Sequence, residues 1–394
     1  MKKIILLIIL LFGVCGCWNY KELDDYSIVT GMAIDKSKDK YEVTVLISNS
    51  KKSSDSSSDS SSSQSVVYSG KGNSIFAAIK EIGLISPKEL YLDHFSILII
   101  SEEIAKDGLY NVVDFYLRYP NARKDFSIAL AKDCKAKDTL KIITPLTDYP
   151  SQSLADNLDF TSQLQGTIIN LNYNELVYDL IANNKEVTMT GIEIIGNEKK
   201  GSSKENTESS EPKTYLKLSD IAIFKDDKFI KWANQYESLG INIINNKTNE
   251  MFIKVNINDG YIIANTVDVK TNIDIKIKNN KPVISIDVEG SAKVMEVSGK
   301  IDLHNEENIQ KIQKQVNKEV EKYMKKGLKL AIENETDIFG FGLLLYKNNP
   351  SYYEKVKDTW NEDLKNLNIN LKSNLVIKSI SSTQNSVEVL DDKK

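Results

Sequence analysis

Three pairs of neighbouring carboxylates, Asp24-Asp25, Asp226-Asp227 and Glu306-Glu307, are of the residue type that general acid–base catalysis needs. Consecutive side chains on an extended backbone point to opposite sides, so an adjacent pair does not converge on one reacting atom, and solvated turns and helix caps account for all three. Cysteine nucleophiles come next. Of Cys15, Cys17 and Cys134 only the last lies in the body of the chain, and the histidines available as its base, His94 and His304, stand outside any catalytic-cysteine signature. A buried or tolerated thiol is expected at Cys134. The turn Ser69-Gly70-Lys71-Gly72-Asn73-Ser74 has the glycines of a phosphate loop without their order, since neither G-x-x-x-x-G-K-S/T nor G-x-G-x-x-G is present, and it reads as the start of a helix. No cluster of His and Cys offers zinc ligands, G-x-S-x-G and H-E-x-x-H do not occur, and S-x-x-K carries nothing alone. Neither a catalytic site nor a cofactor is expected.

Composition narrows the classes further. With 51 Lys and Arg against 55 Asp and Glu, the net charge of -4 gives no basic excess for nucleic acid, and the usual nucleic-acid-binding modules are absent. At 41% hydrophobic and 27% charged residues, 394 positions are enough for two or three folded domains. Lys2 and Lys3 ahead of the apolar run Ile4 to Val14, followed by small residues, have the layout of a bacterial export signal. The uncharged span from Ile4 to Tyr20 stands at the lower limit for a transmembrane helix, and Gly13, Gly16 and Asn19 weaken it. Val14-Cys15-Gly16-Cys17 resembles the lipobox of bacterial lipoproteins. That resemblance implies that a diacylglycerol is attached to the Cys17 sulfur and that cleavage leaves Cys17 as the new N-terminus. Two acyl chains hold a protein stably at a bilayer, with Trp18 and Tyr20 either at headgroup depth or packed on the first domain. Cys134 is then the one free thiol, so no disulfide framework is expected and the core alone must hold the exported chain together.

The elements behind these residues follow from hydrophobic period and turn chemistry. Ser27 to Ile34 and Tyr41 to Ile47 read as a hairpin, with Ser65 to Ser69 as a further strand. A helix follows, capped by Asn73 or Ser74 and ending at Gly83. Strand-like Phe95 to Ile100 and Phe126 to Ala131 alternate with helix-like Leu109 to Arg118 and Asn174 to Ile181. Leu218 to Trp232 is a hairpin turning at Asp226-Asp227. Strands are expected at Met251 to Ile257, Tyr261 to Val269, Ile273 to Ile277 and Val283 to Val288, with turns at Asn258-Asp259-Gly260 and Asn279-Asn280. Helices at Asn308 to Asn334 and Ser351 to Leu364 and a strand at Asn374 to Ile380 close the chain. On the longer helix, Lys311, Lys314, Lys318, Lys322, Lys325 and Lys329 lie opposite the stripe of Ile309, Ile312, Val316, Val320 and Tyr323. That basic face is either solvated or turned toward anionic headgroups or an acidic partner. The fold class expected is α+β: a multi-domain, lipid-anchored ectodomain with mixed or antiparallel sheets and a C-terminal sheet covered by long helices. The divisions expected are a lipoprotein signal peptide at 1–16 and an N-terminal α/β domain at 17–150 with a disordered serine-rich loop at 51–65. A middle segment at 151–248 with a flexible insert at 197–214, a C-terminal α+β domain at 249–382 and a polar tail at 383–394 follow.

Three separated stretches carry a wider resemblance. Gly16-Cys17-Trp18-Asn19 with Glu22-Leu23-Asp24-Asp25 and Ile28 to Asp35 is the first. Ile221 to Lys228 with Glu237-Ser238-Leu239-Gly240 is the second, and Asp337-Ile338-Phe339-Gly340-Phe341-Gly342 with Tyr352, Trp360 and Asn361 the third. In that order they resemble the Ger(x)C spore germination lipoproteins, the C subunits of nutrient germinant receptors, over almost the whole chain. The resemblance implies a non-enzymatic subunit at the outer face of the spore inner membrane, anchored through Cys17 and assembled with integral membrane A and B subunits in nutrient-triggered germination. Two rivals remain open: a lipid-anchored substrate-binding protein of a transporter, built from two similar α/β lobes around a hinge, and an envelope hydrolase with convergent acidic residues in a cleft.

Overall fold

The computed structural model describes Glu22 and residues 25–48, 65–119, 123–144, 150–181, 185–208, 210–257 and 260–379. The leader with Cys17, Trp18 and Tyr20, Asp24, the serine-rich stretch 51–64, the turn residues Asn258 and Asp259, and the tail 383–394 lie outside the described residues.

Tyr26–Ser37 (β1) and Lys40–Ser48 (β2) form the expected hairpin, and Ser65–Gly72 (β3) pairs on β2. Ile75–Gly83 (α1) starts at Ser74, whose hydroxyl accepts the Ala77 N–H at 3.1 Å, so the glycine-bearing turn is a helix start. Glu89–Tyr91 (β4), Ile97–Ser101 (β5), Glu102–Asp107 (α2), Tyr110–Arg118 (α3), Ser127–Ala131 (β6) and Ala136–Thr139 (α4) follow. Pro150–Leu164 (α5), Leu171–Asn172 (β7), Tyr173–Ile181 (α6) and Thr188–Gly196 (β8) come next, then the short helices Glu198–Gly201 (α7) and Glu205–Glu208 (α8), and the hairpin Thr214–Lys225 (β9) with Lys228–Ala233 (β10).

All of these strands belong to one ten-stranded sheet, in the order β10-β9-β8-β6-β5-β1-β2-β3, with β4 on β1 and β7 on β6. Its centre, β1-β5-β6-β8, is parallel and its edges antiparallel. A parallel centre needs cover on both faces. Helices α1, α2, α3 and α6 supply it on one side, through residues such as Ile82, Ile104, Tyr116 and Leu176, and α4 and α5 on the other, through Ala136 and Leu154. Pro150 therefore does not end the first body, contrary to the break expected there. Proline fits the first turn of a helix, and here it opens α5 beneath a sheet that four later strands, β7 to β10, continue. The insert at 197–214 also departs from its linker-like composition. Asn206, 2% exposed, donates to the carbonyls of Ile143 and Thr214, both at 2.9 Å, and accepts the Thr214 N–H at 3.0 Å, which fixes α7 and α8 against the sheet.

The second module begins with Gln235–Ile244 (α9) and continues through Phe252–Ile257 (β11), Gly260–Lys278 (β12), Lys281–Ser298 (β13), Glu306–Glu333 (α10), Phe341–Asn348 (α11), Pro350–Val356 (α12), Trp360–Asp363 (α13) and Asn368–Ser379 (β14). Its sheet runs β11-β12-β13-β14, antiparallel except for the last pair. The turn at Asn279 and Asn280 has φ of 50° and 60°, as a two-residue hairpin loop of this hand requires. The strands expected at Tyr261 to Val269 and Ile273 to Ile277 are one strand, β12, interrupted by a bulge where Asp268 takes φ 55° and the register slips between Val267 and Lys270. The helix expected at Ser351 to Leu364 is broken into α12 and α13, which turns Trp360 inward. On α10, Ile312, Val316, Val320 and Met324 are buried and the lysine face is exposed, as the period predicts. The architecture is α+β with two mixed sheets.

Candidate functional site

The second and third of the stretches singled out in the sequence meet at the joint between the two modules. Helix α9 leaves β10 with a reciprocal cap: Asn234 Oδ1 accepts the Glu237 N–H at 3.1 Å, and Glu237 Oε2 accepts the Asn234 N–H at 2.8 Å. One residue on, the fully buried Ser238 hydroxyl donates to the Ala233 carbonyl and accepts the Ile221 N–H, both at 3.3 Å, tying the helix to the hairpin. Gly240 then meets α10 backbone to backbone. A Cβ on Gly240 would stand 2.0 Å from the Tyr323 carbonyl oxygen, and one on Gly327 would stand 2.8 Å from the Gly240 carbonyl carbon.

On the other side of the joint Asp337, 1% exposed, organises the chain after α10. Its Oδ1 accepts the Phe341 N–H at 3.0 Å, and its Oδ2 accepts the Gly342 N–H at 2.6 Å and the Trp360 Nε1–H at 2.8 Å. Trp360 lies flush on Gly342, where a Cβ would come 2.7 Å from Nε1. The Asp337 carbonyl accepts the Glu186 N–H at 3.1 Å, and Asn361 Nδ2 donates to Glu186 Oε1 at 2.7 Å. Thr336 donates its hydroxyl to the Phe224 carbonyl, and Lys225 pairs with Glu335 at 3.1 Å. These bonds hold the second module on the β8–β9 end of the first sheet.

The electrostatics of the joint are uneven. Burial, and then the charge of Asp337, push the Glu186 carboxyl up to about 7, against the pull of Asn361. Its Oε2 is buried and has no hydrogen-bond partner among the described residues. Burial also raises the Asp337 carboxyl, opposed by the N–H groups that converge on it. Both carboxyls of the joint are thus held above their ordinary range. Beside the joint a cavity of about 420 Å³ opens between α6 and the end of α9. Its charges are already matched, Lys247 with Glu175 at 2.9 Å and Lys185 with Asp179 at 3.2 Å.

The residues first considered for chemistry are scattered. Cys134 donates to the Ile192 carbonyl at 3.8 Å, and burial pushes its thiol up to about 12, far from a thiolate at neutral pH. His94 and His304 are both exposed, in different modules. Asp226 is an exposed turn residue, whereas Asp227 is 7% exposed and corrects the expectation of a solvated turn: its Oδ2 accepts the Tyr110 N–H at 3.1 Å and its carbonyl the Leu109 N–H, starting α3 from more than a hundred residues away. Glu306 and Glu307 form the first turn of α10 behind Asn305. Asp35, closing the first resembling stretch, accepts the N–H groups of Ala136 and Lys137 at 2.9 and 2.8 Å and so starts α4. No group of His, Cys, Asp and Glu among the described residues is placed to hold a metal ion. Glu186 is the one functional candidate that the sequence did not announce, because its partners are distant in the chain and no local pattern marks it. Cys17, the expected lipid attachment, lies outside the described residues.

Comparison with known proteins places the whole chain. Residues 19–194 match the family described as the spore germination protein N-terminal domain, and residues 219–381 the family described as spore germination B3/GerAC-like, C-terminal. Spore germination protein KC of Bacillus subtilis (strain 168) is 29% identical over 399 aligned residues, covering 98% of each chain. Spore germination protein B3 of the same organism is 23% identical, covering 92% of this chain and 93% of its own. The crystal structure of the GerBC protein superposes with a TM-score of 0.55 at 17% identity, covering 91% of this chain and 99% of that one, which shows a shared fold. The break between the two matched regions falls at the β8–β9 connection of the first sheet, so the second region carries β9 and β10 together with the joint residues Ser238, Gly240, Asp337 and Trp360, and the chain belongs to the Ger(x)C family of spore germination proteins.

Proposed function

We propose that this chain is the lipid-anchored, non-enzymatic C subunit of a nutrient germinant receptor, held through Cys17 at the outer face of the spore inner membrane and assembled with two integral membrane subunits, A and B. The observation that carries the reading is the pair of spore germination domains, in order, across nearly the entire chain. The anchor rests on the lipobox-like Val14 to Cys17, and no helix among the described residues is long and apolar enough to cross a membrane. A non-enzymatic role is supported by the buried carboxylates Asp35, Asp227 and Asp337, each engaged by backbone N–H groups as a structural brace. The transporter-protein alternative is not favoured: it calls for two similar lobes, and the two modules here are a ten-stranded sheet with a parallel centre and a four-stranded sheet crossed by one long helix.

The test is nutrient-triggered dipicolinate release from spores carrying Cys17→Ala, with protein level and membrane fractionation measured in parallel and a non-nutrient trigger as control. The expected outcome is a protein that is present but lost from the membrane fraction, with only the nutrient response failing. Normal nutrient germination in spores that have lost the anchored protein would overturn the reading.

A further inference from the structure

The four-stranded sheet ends in β14, whose outer edge is covered over only half its length. Glu321 Oε1 accepts the Ser373 N–H at 3.3 Å, Asn317 Oδ1 accepts the Leu375 N–H at 2.7 Å while its Nδ2 donates to the Leu375 carbonyl at 2.9 Å, and Gln313 Oε1 accepts the Ile377 N–H at 3.1 Å. Acceptors one helical turn apart on α10 thus stand in for a neighbouring strand, at every second residue of β14. Carried one and two turns further, the same helical row brings Lys325 and Lys329, and the strand alternation brings Leu371 and Ile369. Lysine has no acceptor. No described residue outside β13 accepts the N–H of Ile369 or Leu371, and by alternation both groups point outward with those of Ser373 and Leu375. In place of a cover there is an open groove of about 640 Å³ lined by Ile332, Leu367, Ile369 and Leu371, with Lys325 and Lys329 exposed beside it. Lys329 has only an exposed pairing with Glu333 at 3.5 Å, and Lys325 has no ion pair among the described residues.

We propose that this open stretch of β14 is a docking edge for an extended acidic segment of a partner protein, which adds to the sheet as a further strand. Its backbone satisfies the outward groups of Ile369 and Leu371, alternate apolar side chains enter the groove, and the carboxylates between them meet Lys325 and Lys329. Charge selects this occupant: the helix swaps edge-capping acceptors for cations where the strand is bare. The geometry stands on the isolated chain, so its test is separate from that of the germination reading.

The probe is a short fluorescein-labelled peptide of alternating valine and glutamate, titrated by anisotropy with the purified full chain in detergent, alongside valine–serine and valine–lysine peptides. The glutamate peptide is expected to bind at least about tenfold more tightly than either control. Joint Lys325→Glu and Lys329→Glu exchange, at exposed positions and with folding checked by circular dichroism, is expected to weaken it roughly tenfold and to improve binding of the lysine peptide. Backbone N-methylation of one set of alternate probe residues is expected to abolish binding and of the other set to spare it, the signature of an added strand. The proposal fails if the three peptides bind alike, or if N-methylation of neither set matters. It also fails if the probe binds only after removal of residues 380–394, which would make the chain's own Glu388, Asp391 and Asp392 the occupant. Binding of phosphatidylglycerol vesicles through the same lysines, with no peptide binding, would make the edge a lipid surface and equally overturn it.

Discussion

In the first sheet β5 and β6 are buried at every residue between two layers of helices, whereas in the second β12 alternates buried and less buried positions along 19 residues with helices over one face. The first arrangement uses runs such as Ile97-Leu98-Ile99-Ile100, the second an alternation such as Ile273, Ile275 and Ile277 with polar residues between. A strand buried on both faces contributes every side chain to the core, so its stability per residue is high and its local pattern carries no facing information. A one-faced ribbon contributes half as much, and its pattern declares which side is which. The joint has to couple the two kinds, and it does so with hydrogen bonds and close backbone contact laid over an apolar cluster that runs from Ile221 and Ile223 into the second module.

That contrast can be broken hardest at the joint. Asp337→Ala leaves the buried N–H groups of Phe341, Gly342 and Trp360 without an acceptor, and a loss of roughly 3–5 kcal/mol is expected, with calorimetry showing the single unfolding transition split into two as the modules uncouple. A single sharp transition at reduced temperature would show that the modules are coupled by packing alone. Next, Leu98→Ala in the doubly covered sheet is expected to cost about 3 kcal/mol and Ile273→Ala on the half-buried ribbon about 1 kcal/mol, read from urea midpoints. Equal losses would erase the distinction between the sheets. A third test reads a slope. Glu186 titrates at about 7 in the folded chain against an ordinary 4.5, so the folded state holds the extra proton between these values. Stability from this group is fully present below the lower value, declines as pH rises between the two, and is level above the upper, by roughly 3 kcal/mol in all. Glu186→Gln keeps an oxygen for Asn361 and removes the titration, so the thermal midpoint should fall less between pH 5 and pH 8 than in the unaltered chain. An unchanged pH profile would place the proton elsewhere.

The same contrast explains what the sequence disclosed. The β1–β2 hairpin, the Asn279-Asn280 turn and the amphipathic α10 were legible because each is decided by residues close in the chain. The continuation of β12 through Asp268 was not, because a bulge inverts the alternation at the point where a pattern reader sees an end. Pro150 looked like a boundary because proline both stops and starts helices, and only the sheet above α5 decides between them. The insert at 197–214 is polar, yet Asn206 finds buried carbonyls at Ile143 and Thr214 that no local pattern announces. At the joint, Ser238, Gly240, Asp337 and Trp360 stood out only through family resemblance. Their roles are partnerships across tens of residues, and Glu186, which belongs with them, did not stand out at all.

The contact of Gly240 with Gly327 has a mechanical meaning. One turn along α10 in either direction the row presents Tyr323 or Ala331, so sliding the helix past α9 by a single step, about 5.4 Å, would drive a side chain into backbone. The crossing therefore works as a detent: the long helix has one seating on α9, and slip between the two is blocked by backbone meeting backbone.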